Sequence, residues 1–145
     1  MMSDRRPPLQ YPPVMTYGQL LEKVRYEGAY PTREKAEEVV RLVLAGLGRQ
    51  LTGDERVGLA ARLPVEAARV LAEQIPAPQP LTGWAFVEDL AARTGASLGT
   101  TRWDAGSVLC VVAALAGPDL LTDVLRGLPS GYALLFGRAE LTQAA

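Results

Sequence analysis

The sequence predicts an all-α protein: two tandem copies of a roughly four-helix unit, packed as one helical bundle. Three observations carry this. Apolar residues recur at three- and four-residue steps through every long segment. No alternating apolar-polar run bounded by hairpin turns occurs, so nothing reads as strand. The residue pattern of the first half returns after a Pro-rich break near position 78.

Residues 1–15 read as a Pro-rich flexible tail, because Pro7, Pro8, Pro12 and Pro13 block helix and favour an extended path. The stretch lacks Pro-x-x-Pro spacing, so a surface-draped or disordered arm is expected rather than a recognition motif. The first helical repeat is expected over 16–76. Thr16 and Gln19 have capping-box spacing, with Leu20, Leu21 and Val24 as the apolar stripe and Gly28 closing the helix. Thr32 is the expected N-cap of a second helix, whose Ala36, Val39, Val40, Val43, Leu44 and Leu47 share one face. Gly48 is expected to loosen its end. Thr52-Gly53-Asp54-Glu55 reads as another capping box, opening a third helix through Val57, Leu59, Ala60 and Leu63. Pro64 suits the first position of a fourth helix, with Val65, Ala68, Leu71 and Ile75 as its buried stripe. Pro76 to Pro80 stops that helix, and residues 77–81 form the linker.

The second repeat is expected over 82–141, with 142–145 as a tail. Leu-Leu-Glu-Lys-Val at 20–24 is answered by Phe-Val-Glu-Asp-Leu at 86–90, and Gly28 by Gly95. Thr32 is answered by Thr100 or Thr101, opening a helix through Ala105, Val108, Val111, Val112 and Leu115. Arg62-Leu63-Pro64 returns as Gly127-Leu128-Pro129, with a shortened turn near Gly117-Pro118.

This layout resembles the bacterial domain-of-unknown-function 2267 family. The likeness rests on Met15-Thr16-Tyr17 with Leu20 to Val24, the helix Ala36 to Leu47, the Leu-Pro steps at 63–64 and 128–129, and the Leu-Pro-x-x-Tyr-x-x-Leu-Phe string from Leu128 to Phe136. It covers roughly residues 15–141 and implies a helical tandem-repeat fold in a bacterial, cytoplasmic setting. It implies no activity and no catalytic residues. The Pro-rich tail and the shortened turn at Gly117-Pro118 depart from the family pattern.

Composition narrows function mainly by exclusion. The 145 residues are 48% apolar and 21% charged, a globular profile, and the formal charge of −1 sets up no broad positive field. The second half, residues 76–145, holds few charges and is the better candidate for a partner-covered surface. With no histidine, the usual general base and commonest metal ligand are missing. The lone Cys110 cannot form an internal disulfide and is expected to be inert core filler among Val108, Leu109, Val111 and Val112. The start lacks the apolar stretch of a signal peptide. The apolar run Val108 to Ala116 is about half of the ~20 residues a membrane span needs. Thirteen arginines against two lysines suggest a high-GC bacterial source.

Gly95-Ala96-Ser97-Leu98-Gly99 matches a nucleophile elbow, but an elbow needs a strand before it and a histidine beside it. The stretch is therefore expected to be a helix-ending loop. Glu37 and Glu38 point about 100° apart on a helix and cannot converge on one substrate. Gly46-x-Gly48 lacks a preceding strand.

Trp84, Arg102 and Trp103 are the candidate interaction residues, because aromatic and arginine side chains concentrate at interface hot spots. Trp103 is expected in the first turn of a helix, near Lys35 or a neighbouring Glu. The competing reading has both tryptophans capping the core where the repeats meet. Glu residues interleaved among the first-half arginines argue against a nucleic-acid patch. The expectation is a non-enzymatic, cytoplasmic interaction or assembly module without catalytic, metal or cofactor residues. Its partner is another protein or a second copy, with no membrane contact. An apolar small-molecule binder between the repeats is the alternative, and nucleic-acid binding a weaker one.

Overall fold

The computed structural model describes residues 15–138. The arm expected over 1–15, apart from Met15, the end of the expected second repeat and the tail expected at 142–145 lie outside them. Among the described residues there are seven helices and no strand: α1 (Tyr17–Gly28), α2 (Arg33–Gln50), α3 (Gly53–Ala60), α4 (Val65–Ala72), α5 (Gly83–Thr94), α6 (Leu98–Gly127) and α7 (Tyr132–Leu135). The protein is an all-helical bundle.

Local chemistry sets the first two helix starts. Thr16 accepts from the Gln19 backbone N–H and the Gln19 side chain reaches back to the Thr16 N–H, a complete capping box. Thr32 accepts from the Lys35 N–H at 3.0 Å. At the third start, Thr52 occupies the cap position but makes no side-chain cap bond. Gly53 immediately after it has φ +68°, which breaks the regular cap geometry. Pro64 is the N-cap of α4 rather than its first helical residue: its ψ is 150°, and its carbonyl accepts from the Ala68 N–H.

The apolar stripes of α1 and α2 are buried as their spacing predicts. That of α4 is rotated. Ala67, Val70 and Leu71 face the core, while Val65 and Ile75 are exposed, Ile75 lying beyond the helix end. Val57 on α3 is likewise exposed. Gly48 does not loosen α2, which runs on to Gln50. It marks a close approach of α4, since a Cβ there would lie 2.3 Å from the Leu71 carbonyl oxygen.

In the second half, α6 begins earlier than expected. Its N-cap is Ser97, which accepts from the Thr100 N–H, and Thr101 is already helical and buried. Gly117 (φ 82°, ψ 164°) breaks the helix before Pro118, where the shortened turn was expected. Arg62 on the α3–α4 turn donates to the carbonyls freed there, Leu115 and Ala116. By length and composition α6 is apolar enough to cross a membrane, and 39% of its most apolar stretch is buried within the protein.

The buried residues of both halves form one cluster, from Leu20 and Val24 through Leu44, Leu71 and Leu90 to Val112 and Tyr132. Burying each such aliphatic side chain stabilises the fold by ~1.5–3 kcal/mol. The linker is pinned to the end of α2, because the Ala77 N–H donates to the Arg49 carbonyl and the Leu81 N–H to the Gln50 side chain. Short α7 is held against α5 by the Phe86–Tyr132 ring pair (centroids 5.4 Å apart), by the Tyr132 hydroxyl on the Leu81 carbonyl, and by Gly83 packed on Gly131.

Candidate interaction surface

The end of α1 creates the site. Its last turn leaves carbonyls without helical partners, and Trp103 Nε1 donates to one of them, Gly28 O, at 2.9 Å. Trp103 lies in the second turn of α6, one turn later than expected, because the helix starts at Leu98. Lys35 is not its neighbour and pairs with Glu38 instead.

A buried polar clamp fixes this junction. The Tyr30 hydroxyl donates to Asp104 Oδ1 at 2.6 Å, and the Ser107 hydroxyl donates to the Trp103 carbonyl. Tyr30, Asp104 and Ser107 are all buried. Burial, reinforced by the Asp104 carboxylate, pushes the Tyr30 hydroxyl pKa up, so it remains a donor. The Tyr30 ring lies against Gly28, where a Cβ would sit 2.1 Å from Cε2. Asp104 left a sequence signal, since it shares the α6 face of Val108 and Val111. Its partner Tyr30, in a distant turn, could not be read from the sequence.

The Trp103 ring is thus tethered by its nitrogen while 55% of the residue stays exposed. Arg102 is exposed, its guanidinium lying over Gly106. Arg102, Trp103, Leu134, Leu135 and Gly137 line a shallow recess of about 240 Å³, with Glu27, Gly106 and Ser107 completing it. Leu134 is 55% exposed. Trp84, on the first turn of α5, is 57% exposed but does not line this recess. The fold therefore brings Arg102 and Trp103 together and leaves Trp84 apart, with neither tryptophan buried.

The other sequence candidates resolve into structural roles. Gly95 (φ +76°) closes α5, and Ser97 serves as the α6 cap. Cys110 is not core filler: it is half-buried, its thiol 3.9 Å from a Glu27 carboxylate oxygen. Burial and that carboxylate push its pKa up, opposite to what an activated thiolate needs. Arg25 and Arg33 both hold Glu22, whose carboxyl pKa they lower, and Arg41 pairs with Glu37. Arg49 lies by Asp89 and donates to Gln74. Arg56, another of the first-half arginines weighed as a nucleic-acid patch, donates to the carbonyls of Gly48, Leu51, Leu71, Ala72 and Gln74. Among the described residues no three His, Cys, Asp or Glu side chains cluster as a metal site requires. An open groove of about 690 Å³ between α1 and α6 has Val111, Ala114 and Leu115 along it.

Residues 17–135 match the family model described as "Uncharacterized conserved protein (DUF2267)". The chain belongs to that family. No curated protein matches the sequence.

Proposed function

We propose that this DUF2267 protein is a non-enzymatic helical interaction module, binding another protein or a second copy of itself through the Arg102–Trp103–Leu134 surface. One observation carries the reading: the Trp103 ring is half exposed yet anchored through Nε1 to the Gly28 carbonyl. An aromatic already fixed in place loses little side-chain freedom on binding, which favours its use as an anchor. Arg102 beside it adds a planar donor fork for a partner carboxylate or carbonyl. Trp84 supplies a second exposed aromatic on α5. A soluble, cytoplasmic setting accords with α6, whose buried face includes Val108, Leu109 and Val112 in the common core.

Native mass spectrometry of the protein taken from its own host tests this. The expected result is a multiple of the chain mass, or the chain with another protein, shifting to monomer in the Arg102→Glu/Leu134→Asp variant. A wild-type monomer with nothing attached refutes the module. A monomer carrying a small, removable mass instead favours a second reading, an apolar molecule held between the two halves. The α1–α6 groove, floored by Val111, Ala114 and Leu115, is the observation behind it. Nucleic-acid binding gains no such support, because Arg25, Arg33, Arg41 and Arg49 face carboxylates and Arg56 and Arg62 face carbonyls.

A further inference from the structure

We propose that the partner is a second copy of this chain: the two α6 helices cross antiparallel, Arg102 of each copy pairs with Glu27 of the other, and each Trp103 seats in the other copy's α1–α6 groove. The pairing deepens the interaction module proposed above and rests on it. Charge, shape and area on one face converge.

Among the described residues neither Arg102 nor Glu27 belongs to an ion pair, whereas Arg25, Arg33, Arg41, Arg93 and Arg126 each lie on a carboxylate. Both are exposed, and both line the recess. They do not meet within the chain. The Arg102 guanidinium lies over Gly106, and the Glu27 carboxylate is turned to Cys110, one turn further along α6. At ~1.5 Å per residue that offset is ~6 Å. A two-fold axis crossing α6 between Gly106 and Cys110 reverses the order, so each guanidinium falls opposite the other copy's carboxylate. The patch is then self-complementary and makes the same ion pair twice, as an isologous contact requires.

The shapes follow the same axis. The recess end of the face carries two projecting apolar side chains, Trp103 and Leu134, each 55% exposed. The other end is the groove of about 690 Å³, with Tyr26, Val111, Ala114 and Leu115 along it. Glu27 lines both, so the two depressions are continuous. Trp103 leans to the α1 side of α6, since its Nε1 donates to Gly28 O, and the groove lies on that same side. An axis in the plane of contact exchanges the two ends but keeps α1 side against α1 side. Trp103 therefore meets the other copy's groove rather than a second Trp103. A stable pair buries about 800 Å² on each partner. The recess alone is too small for that, and the groove extends the face to ~20 Å along α6.

The test uses sedimentation velocity and native mass spectrometry of the purified full chain and of its Glu27→Arg and Arg102→Glu variants, both at exposed positions. The parent is expected to be a dimer. Each variant sets like charges opposite each other in its own pair and is expected to dissociate at least ~10-fold more readily. Mixed in equal amounts, the two variants are expected to recover a dimer with one chain of each, because the reversed charges then face opposite ones. A parent dimer that neither change weakens overturns the proposal, as does a mixture that stays monomeric. With Trp84→Phe leaving Trp103 as the one indole, acrylamide quenching is expected to fall roughly twofold as rising concentration drives pairing. Quenching that does not change with dimerisation overturns the seating of Trp103 in the groove. A parent monomer that leaves its host bound to another protein, and loses it in Arg102→Glu, overturns the pairing while the interaction module stands. A parent monomer with nothing attached overturns both.

Discussion

Replacing Arg56 by methionine, which keeps side-chain length but removes every donor, should destabilise the protein by about 3–4 kcal/mol. Arg56 sits on α3, and its guanidinium reaches the ends of two other helices. Nη1 donates to Gly48 and Leu51 at the end of α2, and Nη2 to Leu71, Ala72 and Gln74 at the end of α4. Carbonyls in a last helical turn have no helical donor, so these ends depend on an external one. Four of the bonds are part-buried, and the one to Ala72 is exposed and can pass to water. Taking ~1 kcal/mol for each part-buried carbonyl that loses its donor, with Leu71 keeping a long bond from the Gln74 N–H, leads to the figure above. For a chain of this size that is a fall of roughly 10 °C in Tm. Urea unfolding followed by circular dichroism should show a lower midpoint at unchanged slope. Arg56→Lys should fall between, because an ammonium cannot span the fork. Arg93→Met is the control: it loses only an exposed pair with Asp89 and should cost less than about 1 kcal/mol. If Arg56→Met costs no more than Arg93→Met, the guanidinium does not hold the helix ends and the reasoning is wrong.

Tyr30→Phe should cost about 1–3 kcal/mol in urea unfolding, because it strips the buried Asp104 carboxylate of its 2.6 Å donor. A loss below ~0.5 kcal/mol would show that the clamp contributes nothing. Gly117→Ala should cost about 1–3 kcal/mol, since φ 82°, ψ 164° is open essentially to glycine alone. Gly99→Ala, in open space within α6, should instead stabilise by up to ~1 kcal/mol, and similar values at both sites would remove the conformational explanation. Tyr17 tests the alkaline limb of stability. Burial and its hydrogen bond to Glu37 push its pKa from 10.0 up to about 12, so the folded state holds the proton longer than the unfolded chain. Stability should therefore fall as pH rises from 10.0 through about 12, and the fall should be shallower in Tyr17→Phe. Urea midpoints across that range check it, and identical slopes for the two proteins would refute the assignment.

What could be read from the sequence was what depends on near neighbours. Thr16 and Thr32 cap their helices because the acceptor and the N–H it serves are three residues apart in the chain. The α2 stripe from Ala36 to Leu47 is long enough for its phase to be unambiguous. On α4 a helix of eight residues left two phases open, and contact with α2 selected Ala67, Val70 and Leu71 over Val65 and Ile75. Cys110 belongs to an apolar run, yet its direction around α6 places it beside Glu27. At Gly53 and Ser97, backbone conformation and an earlier helix start overrode cap patterns that looked sound in one dimension.

The candidate surface divides in the same way. Residue type alone marked Trp84, Arg102 and Trp103, since aromatic and arginine side chains concentrate at interface hot spots. Which of them meet was decided by packing: the end of α1 supplies Gly28, the turn after it Tyr30, and α7 supplies Leu134, to a patch whose other half lies on α6. By itself the sequence determined an all-helical chain, the positions of its main helices and the family to which it belongs, because these rest on periodicity and short-range capping. The Tyr30–Asp104 clamp, the Arg56 hub and the tethering of Trp103 join residues far apart in the chain. Only the tertiary structure decided those, because each bond exists only after the core has set the distance between its helices.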